Sequence, residues 1–238
     1  MTDEEREKRE RREKWLLLLI ALIGFCREEI DALVDKYAAG LLDAPAFGQR
    51  VTALLQHGHT FATYYGAADG NDAHTLLNDD VVQSVFGAEG NAATVEQSLY
   101  LADFVQDLVQ GRYLTSSNIS NTDTGTPTET EDALDVDAIK RRARMYADRI
   151  AGTANSAWLA TLPPDTLVYW IDTKDRAECT QDDGFPHNCL ALANDSPHKA
   201  GELKAAPGNC MTPCLVRCRC LLRTEDGDES FDLGRILD

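Results

Sequence analysis

The sequence predicts a mainly helical protein, α+β overall: a bundle-like helical body closed by a small cysteine-rich strand-and-loop module. Three observations lead there. Apolar residues recur at steps of three and four through Leu16, Leu19, Ile23, Cys26, Ile30, Leu33 and Tyr37, and again through Ile139, Ala143, Tyr146, Ile150, Ala154 and Trp158, which is the spacing of one helix face. Six of the seven cysteines fall between Cys179 and Cys220. A β-branched and aromatic run, Leu167-Val-Tyr-Trp-Ile171, lies just ahead of them and reads as a strand.

The first helix is expected over 3–39. Its opening charge run balances six acids against six bases and reads as a solvated, fraying start supported weakly by acid–base pairs. Leu17, Leu18 and Leu22 widen the apolar surface beyond one seam, so this helix is buried or docked on a partner. Cys26 falls on the seam and reads as a small core residue. Gly40 ends the helix and Pro45 begins a second, carrying Phe47, Val51, Leu54, Leu55, Phe61 and Tyr65, with Gly66 as its stop. His57 and His59 are two apart, point away from one another and read as structural.

Residues 67–91 are punctuated by Gly, Asn and Asp and read as an irregular excursion with a short helical piece near 79–86. A third helix over 94–110 presents Leu101, Phe104, Val105 and Leu108, with Gly111 as its stop. Residues 115–132, rich in Ser, Thr and Asn, cannot support a core and read as a mobile loop. A fourth helix over 136–159 follows, and Pro163-Pro164 breaks it. Strand 167–171 is expected to pair with 215–222, with Val216, Cys218, Cys220 and Leu222 inward. The resulting division is a helical body over 1–111, a linker over 112–134, a connecting helix over 135–162, a cysteine-rich module over 163–224 and an acidic tail over 225–238. Phe231, Leu233 and Ile236 could dock that loosely ordered tail on a neighbour.

Composition narrows the function. Forty acids against 23 bases give a net charge of −17 and a pI near 4.6, a surface that repels phosphate and disfavours general wrapping of nucleic acid. Lys140, Arg141, Arg142, Arg144 and Arg149 form the one basic cluster. They read as the polar face of their helix neutralising nearby acids, with an acidic partner or packaged DNA as the functional alternative. Trp15–Phe25 is the longest apolar run and falls short of the roughly 20 residues that span a bilayer. The start is not the cationic opening of a signal peptide, so synthesis in the cytosol and no membrane association are expected.

The cysteines carry the chemistry. Cys179, Cys189, Cys210, Cys214, Cys218 and Cys220 are separated by nine, twenty, three, three and one residues. The two three-residue gaps fit zinc-ligand pairs, and the nine-residue gap does not. His187 and His198 are further nitrogen donors, each reading first as a loop histidine. Cys218 and Cys220 flank Arg219 on an expected strand, roughly 6.6 Å apart, which is too far for a disulfide to each other and implies different partners. In a reducing cytosol such a cluster favours zinc, and three disulfides are the alternative.

The run C-L-A-L-A-N-D-S-P at 189–197, the Pro207-Gly208 turn and the closing C-L-V-R-C-R-C-L-L at 214–222 resemble the C-terminal signature of tailed-phage minor head proteins, also called head morphogenesis or minor capsid proteins. Tyr100-Leu101-Ala102-Asp103-Phe104 running to Gly111, then Arg142-Ala143-Arg144-Met145-Tyr146 and the tryptophan-bearing strand, extend the resemblance over about residues 30–222. The chain departs from that pattern in having nine residues, rather than two, ahead of Cys189. The resemblance implies a virion structural protein, present in the host cytoplasm during assembly. Its partners would be portal or major capsid proteins, with a DNA contact through Lys140, Arg141, Arg142 and Arg144, and it would perform no catalysis. Two other classes stand beside it. One is a zinc-binding regulatory module; the other is an enzyme using a cysteine nucleophile with His187 beside Cys189 and Asp182 or Asp183 as the orienting acid.

Overall fold

The computed structural model describes residues 2–70, 80–115, 133–171, 188–210 and 218–232. Among the described residues, four long helices make the body: α1 (Asp3–Ala38), α2 (Ala44–Gly70), α3 (Asp80–Val109) and α4 (Val136–Thr161). Leu114–Thr115 (β1) and Ala133–Leu134 (β2) pair antiparallel between α3 and α4. The C-terminal module holds β3 (Leu167–Ile171), the short α5 (Cys189–Asn194), β4 (His198–Lys199) and β5 (Leu221–Thr224), with the three strands in the order β4-β3-β5, antiparallel throughout.

The seam of α1 packs as its periodicity requires, with Leu19, Ile23, Cys26 and Ile30 at 0–1 % exposure. α2 packs against α1, α3 and α4 and contributes Phe47, Val51, Leu55 and Ala62 to the same core. Phe47, Phe104 and Tyr146 bring aromatic rings together between α2, α3 and α4, edge-on for Phe47–Phe104 and tilted for Phe104–Tyr146, both at a centroid distance of 6.1 Å. Asp43 caps α2, its carboxylate accepting from the Ala46 N–H at 2.8 Å, and Asp135 caps α4 in the same way at 2.9 Å. Each caps an N–H that the first helical turn leaves without a partner.

Three expectations change. α2 continues through Gly66 to Gly70, and that glycine is a packing position: a Cβ there would lie 2.0 Å from the Ala154 carbonyl oxygen of α4. The residue is small because two backbones meet, not because a helix ends. α3 is continuous from Asp80, so the Gly and Asn residues over 80–91 do not interrupt it; the propensity of a single Gly or Asn is a weak preference that a long helix tolerates. β3 pairs with 221–224, in the register Trp170↔Leu222 and Val168↔Thr224, so the pairing includes Leu221 and Leu222 of the expected partner and runs two residues past it, while 215–217 lie outside the described residues. Most of the predicted linker, 116–132, lies outside the described residues, while its base is held by the β1–β2 pair. The tail is docked as far as it is described: Phe231 is 1 % exposed in the core of the helical body. Leu233 and Ile236 lie outside the described residues.

α4 serves both halves. Its first turns fill the main core through Ile139, Ala143, Tyr146 and Ile150. Its last turn supplies Trp158 and Leu159 to a second core with Val168, Trp170, Leu192, Leu222 and three cysteines.

Candidate metal centre

The second core positions the thiols. Asn188 caps α5, its side-chain oxygen accepting from the Leu190 and Ala191 N–H groups at 2.9 and 3.3 Å. Cys189 is thereby the first residue of that helix, turned into the core at 0 % exposure. Ser196 ties the same loop to the sheet, accepting from the Trp170 N–H and donating to the Leu192 carbonyl, both at 2.9 Å. From the other side, Cys218 and Cys220 lead into β5, and both are at 0 % exposure.

The three ligand sulfurs of Cys189, Cys218 and Cys220 all lie within 4.8 Å of one another. No disulfide joins them. The expectation that Cys218 and Cys220 stand roughly 6.6 Å apart along a strand does not hold for their sulfurs. It assumed strand geometry, but β5 begins only at Leu221, and the chain before it brings both sulfurs to one place. A tetrahedral zinc with Zn–S bonds of about 2.3 Å sets its sulfurs about 3.8 Å apart. The bound of 4.8 Å on the three sulfurs admits that arrangement. Three thiols buried among apolar side chains would be costly as bare thiolates, and a bound cation offsets that charge. The cluster can therefore hold a metal ion.

The remaining candidates are distributed otherwise. Cys179, Cys214 and His187 lie outside the described residues, as do Asp182 and Asp183. Cys210 adopts a left-handed φ of 65° and does not join the three thiols. It sits beside Arg149: burial pushes its thiol pKa up, and the guanidinium partly opposes the rise. The Nε2 of His198 lies 2.7 Å from the Leu192 carbonyl; a carbonyl only accepts, so that nitrogen carries a proton and fastens the loop. Cys26 packs in the main core, with burial first and Glu29 second raising its pKa to about 11. No family model, curated protein or solved structure matches this chain.

The basic residues of α4 are largely spent on neighbouring helices. Lys140 reaches Asp35 at 2.6 Å, Arg144 forks onto Asp31 and Arg149 pairs with Glu96. Arg142 lies over the Tyr146 ring, 5.7 Å from its centroid. Arg27 of α1 returns the favour to α4 by binding Asp148 at 2.7 Å.

Two buried polar groups tie the helices together: His59, expected from sequence to be structural, and Asn155, which the sequence did not mark. His59 is fully buried, with Nε2 3.0 Å from the Gln97 side-chain oxygen and Nδ1 2.8 Å from the Thr153 hydroxyl. An amide oxygen only accepts, so Nε2 holds the proton and Nδ1 accepts from Thr153. Burial, with Arg149 nearby, lowers its pKa to about 4, against the opposing hydrogen bond to Gln97. Asn155, at 0 % exposure, bonds both the Pro207 turn and the backbone of Phe231. The signal for Asn155 was a polar residue inside an apolar helix stretch, which sequence alone does not distinguish from an exposed one.

Proposed function

We propose that this protein is a structural component of a tailed-virus particle, a minor head protein that works near the portal through protein–protein contacts, with its C-terminal module tied by zinc. The observation that carries the reading is the complete burial of Cys189, Cys218 and Cys220 in one core. Buried, clustered thiols are placed to ligate an ion; a nucleophile has to meet its substrate. Apolar contact surface lies instead on the helices, where Leu17 and Phe25 of α1, Phe61 of α2, and Val95 and Leu99 of α3 are 49–67 % exposed. The resemblance of the 189–222 segment to minor head proteins supports the choice of particle. Because Lys140 and Arg144 are engaged by Asp35 and Asp31, the reading rests on contacts with protein rather than DNA.

Two experiments test it. Elemental analysis of the purified chain should find about one zinc per molecule with its thiols reduced; mapped disulfides and no metal would remove the zinc. Disrupting the coding sequence in the virus should yield defective heads that complementation restores. Particles that assemble and infect normally without the chain would overturn the structural role.

A further inference from the structure

The charged opening of α1 has no apolar side chain between Asp3 and Lys14, and residues 6–11 are exposed. Hydrophobic burial does not hold it down. It is nevertheless seated. Lys8 pairs with Asp228, and the Arg12 guanidinium donates to the Ser230 carbonyl at 2.5 Å. The chain it meets, 225–232, carries five acids and no base. That turn is well built in itself: Arg223 pairs with Glu229, and the Ser230 N–H returns to the Leu222 carbonyl at 2.8 Å. Between helix and turn lies a cavity of about 530 Å³, lined on one side by Lys8, Arg9 and Arg12 and on the other by Asp226, Asp228 and Asp232.

We propose that the first turns of α1, residues 3–14, form an ionic strap that closes on the acidic turn at 225–232 and that monovalent salt releases. Its attachment is electrostatic and partly exposed. Each such pair contributes weakly and is screened within about 10 Å at 0.1 M salt. The rest of the molecule responds with the opposite sign. A net charge of −17 means that screening relieves self-repulsion and strengthens the folded body. Salt thus stabilises the body while it loosens the strap. Opening releases the Asp228 carboxylate and the Ser230 carbonyl from the two cations of α1, while Glu229 stays paired with Arg223.

Hydrogen-exchange mass spectrometry of the full chain at 0.05 and 1 M NaCl reads both parts at once. At low salt, amides of residues 3–14 should exchange about threefold to tenfold faster in a Lys8→Glu/Arg12→Glu variant than in the parent. The parent should lose that margin at 1 M, while peptides from α2 and α4 gain protection. Exchanging the charges in Lys8→Asp/Asp228→Lys should restore part of the protection, which separates loss of the strap from general damage. Equal exchange in the parent and Lys8→Glu/Arg12→Glu at low salt, or strap protection that rises with salt alongside the body, overturns the proposal.

Discussion

The side chain of Asn155 and the backbone of Phe231 face one another as two strands of a sheet do. The Asn155 amide oxygen accepts from the Phe231 N–H at 2.8 Å, and its NH₂ donates to the Phe231 carbonyl at 3.2 Å. The same NH₂ reaches the Pro207 carbonyl at 3.2 Å. One buried amide on α4 therefore holds the returning C-terminal segment and the turn of the thiol module to the helical body.

Removing that amide leaves three buried backbone groups without partners. Asn155→Ala should cost about 2–4 kcal/mol of unfolding free energy, since each orphaned group carries a desolvation penalty. Denaturant unfolding followed by circular dichroism measures it. A loss below about 0.5 kcal/mol would mean that water replaces the amide without penalty.

Gly152 lies one turn before Asn155 and is the point where the module's turn touches α4. A Cβ there would sit 2.0 Å from the Gly208 carbonyl oxygen, with backbone rather than a flexible side chain in the way. Gly152→Ala should destabilise by about 3 kcal/mol. Gly24, in α1, has nothing within 4 Å of such a Cβ, so Gly24→Ala should stabilise by about 0.5–1 kcal/mol through helix propensity. Opposite signs from one chemical change test the close approach directly.

His59 makes stability depend on pH. Its folded pKa of about 4 lies below the ordinary 6.5, so between these values the unfolded chain binds a proton that the folded one refuses. Stability attributable to this residue is therefore intact above about pH 6.5 and is lost as pH falls toward 4, by about 3 kcal/mol in all. Urea unfolding of the parent and His59→Gln at pH 7 and pH 4.5 should show the variant losing less over that window. Identical slopes would place the proton elsewhere.

The three-thiol cluster separates the cysteines into classes. Cys189→Ser, Cys218→Ser and Cys220→Ser should each abolish stoichiometric zinc binding, whereas Cys26→Ala and Cys210→Ser should retain about one ion per chain. Chelation should lower the melting temperature of the parent and leave that of Cys218→Ser unchanged. Zinc loss in Cys210→Ser to the same degree as in Cys218→Ser would enlarge the site beyond the three.

What the sequence determined by itself was whatever depends on local period and on groups near in the chain. The seam from Leu16 to Tyr37 specified α1, the inward face from Ile139 to Trp158 specified α4, and Gly40 and Gly111 marked helix ends that adopt φ of 69° and 71°. The crowding of cysteines marked the module that could hold metal. Tertiary structure alone decided which sulfurs meet, because Cys189 lies 29 residues before Cys218 and the β3–β5 register that brings them together is a long-range pairing. It likewise decided that Gly66 is a contact rather than a stop and that Asn155 and His59 are buried. Burial and backbone approach are properties of what packs opposite a residue, and the residue's own neighbours in sequence do not carry them.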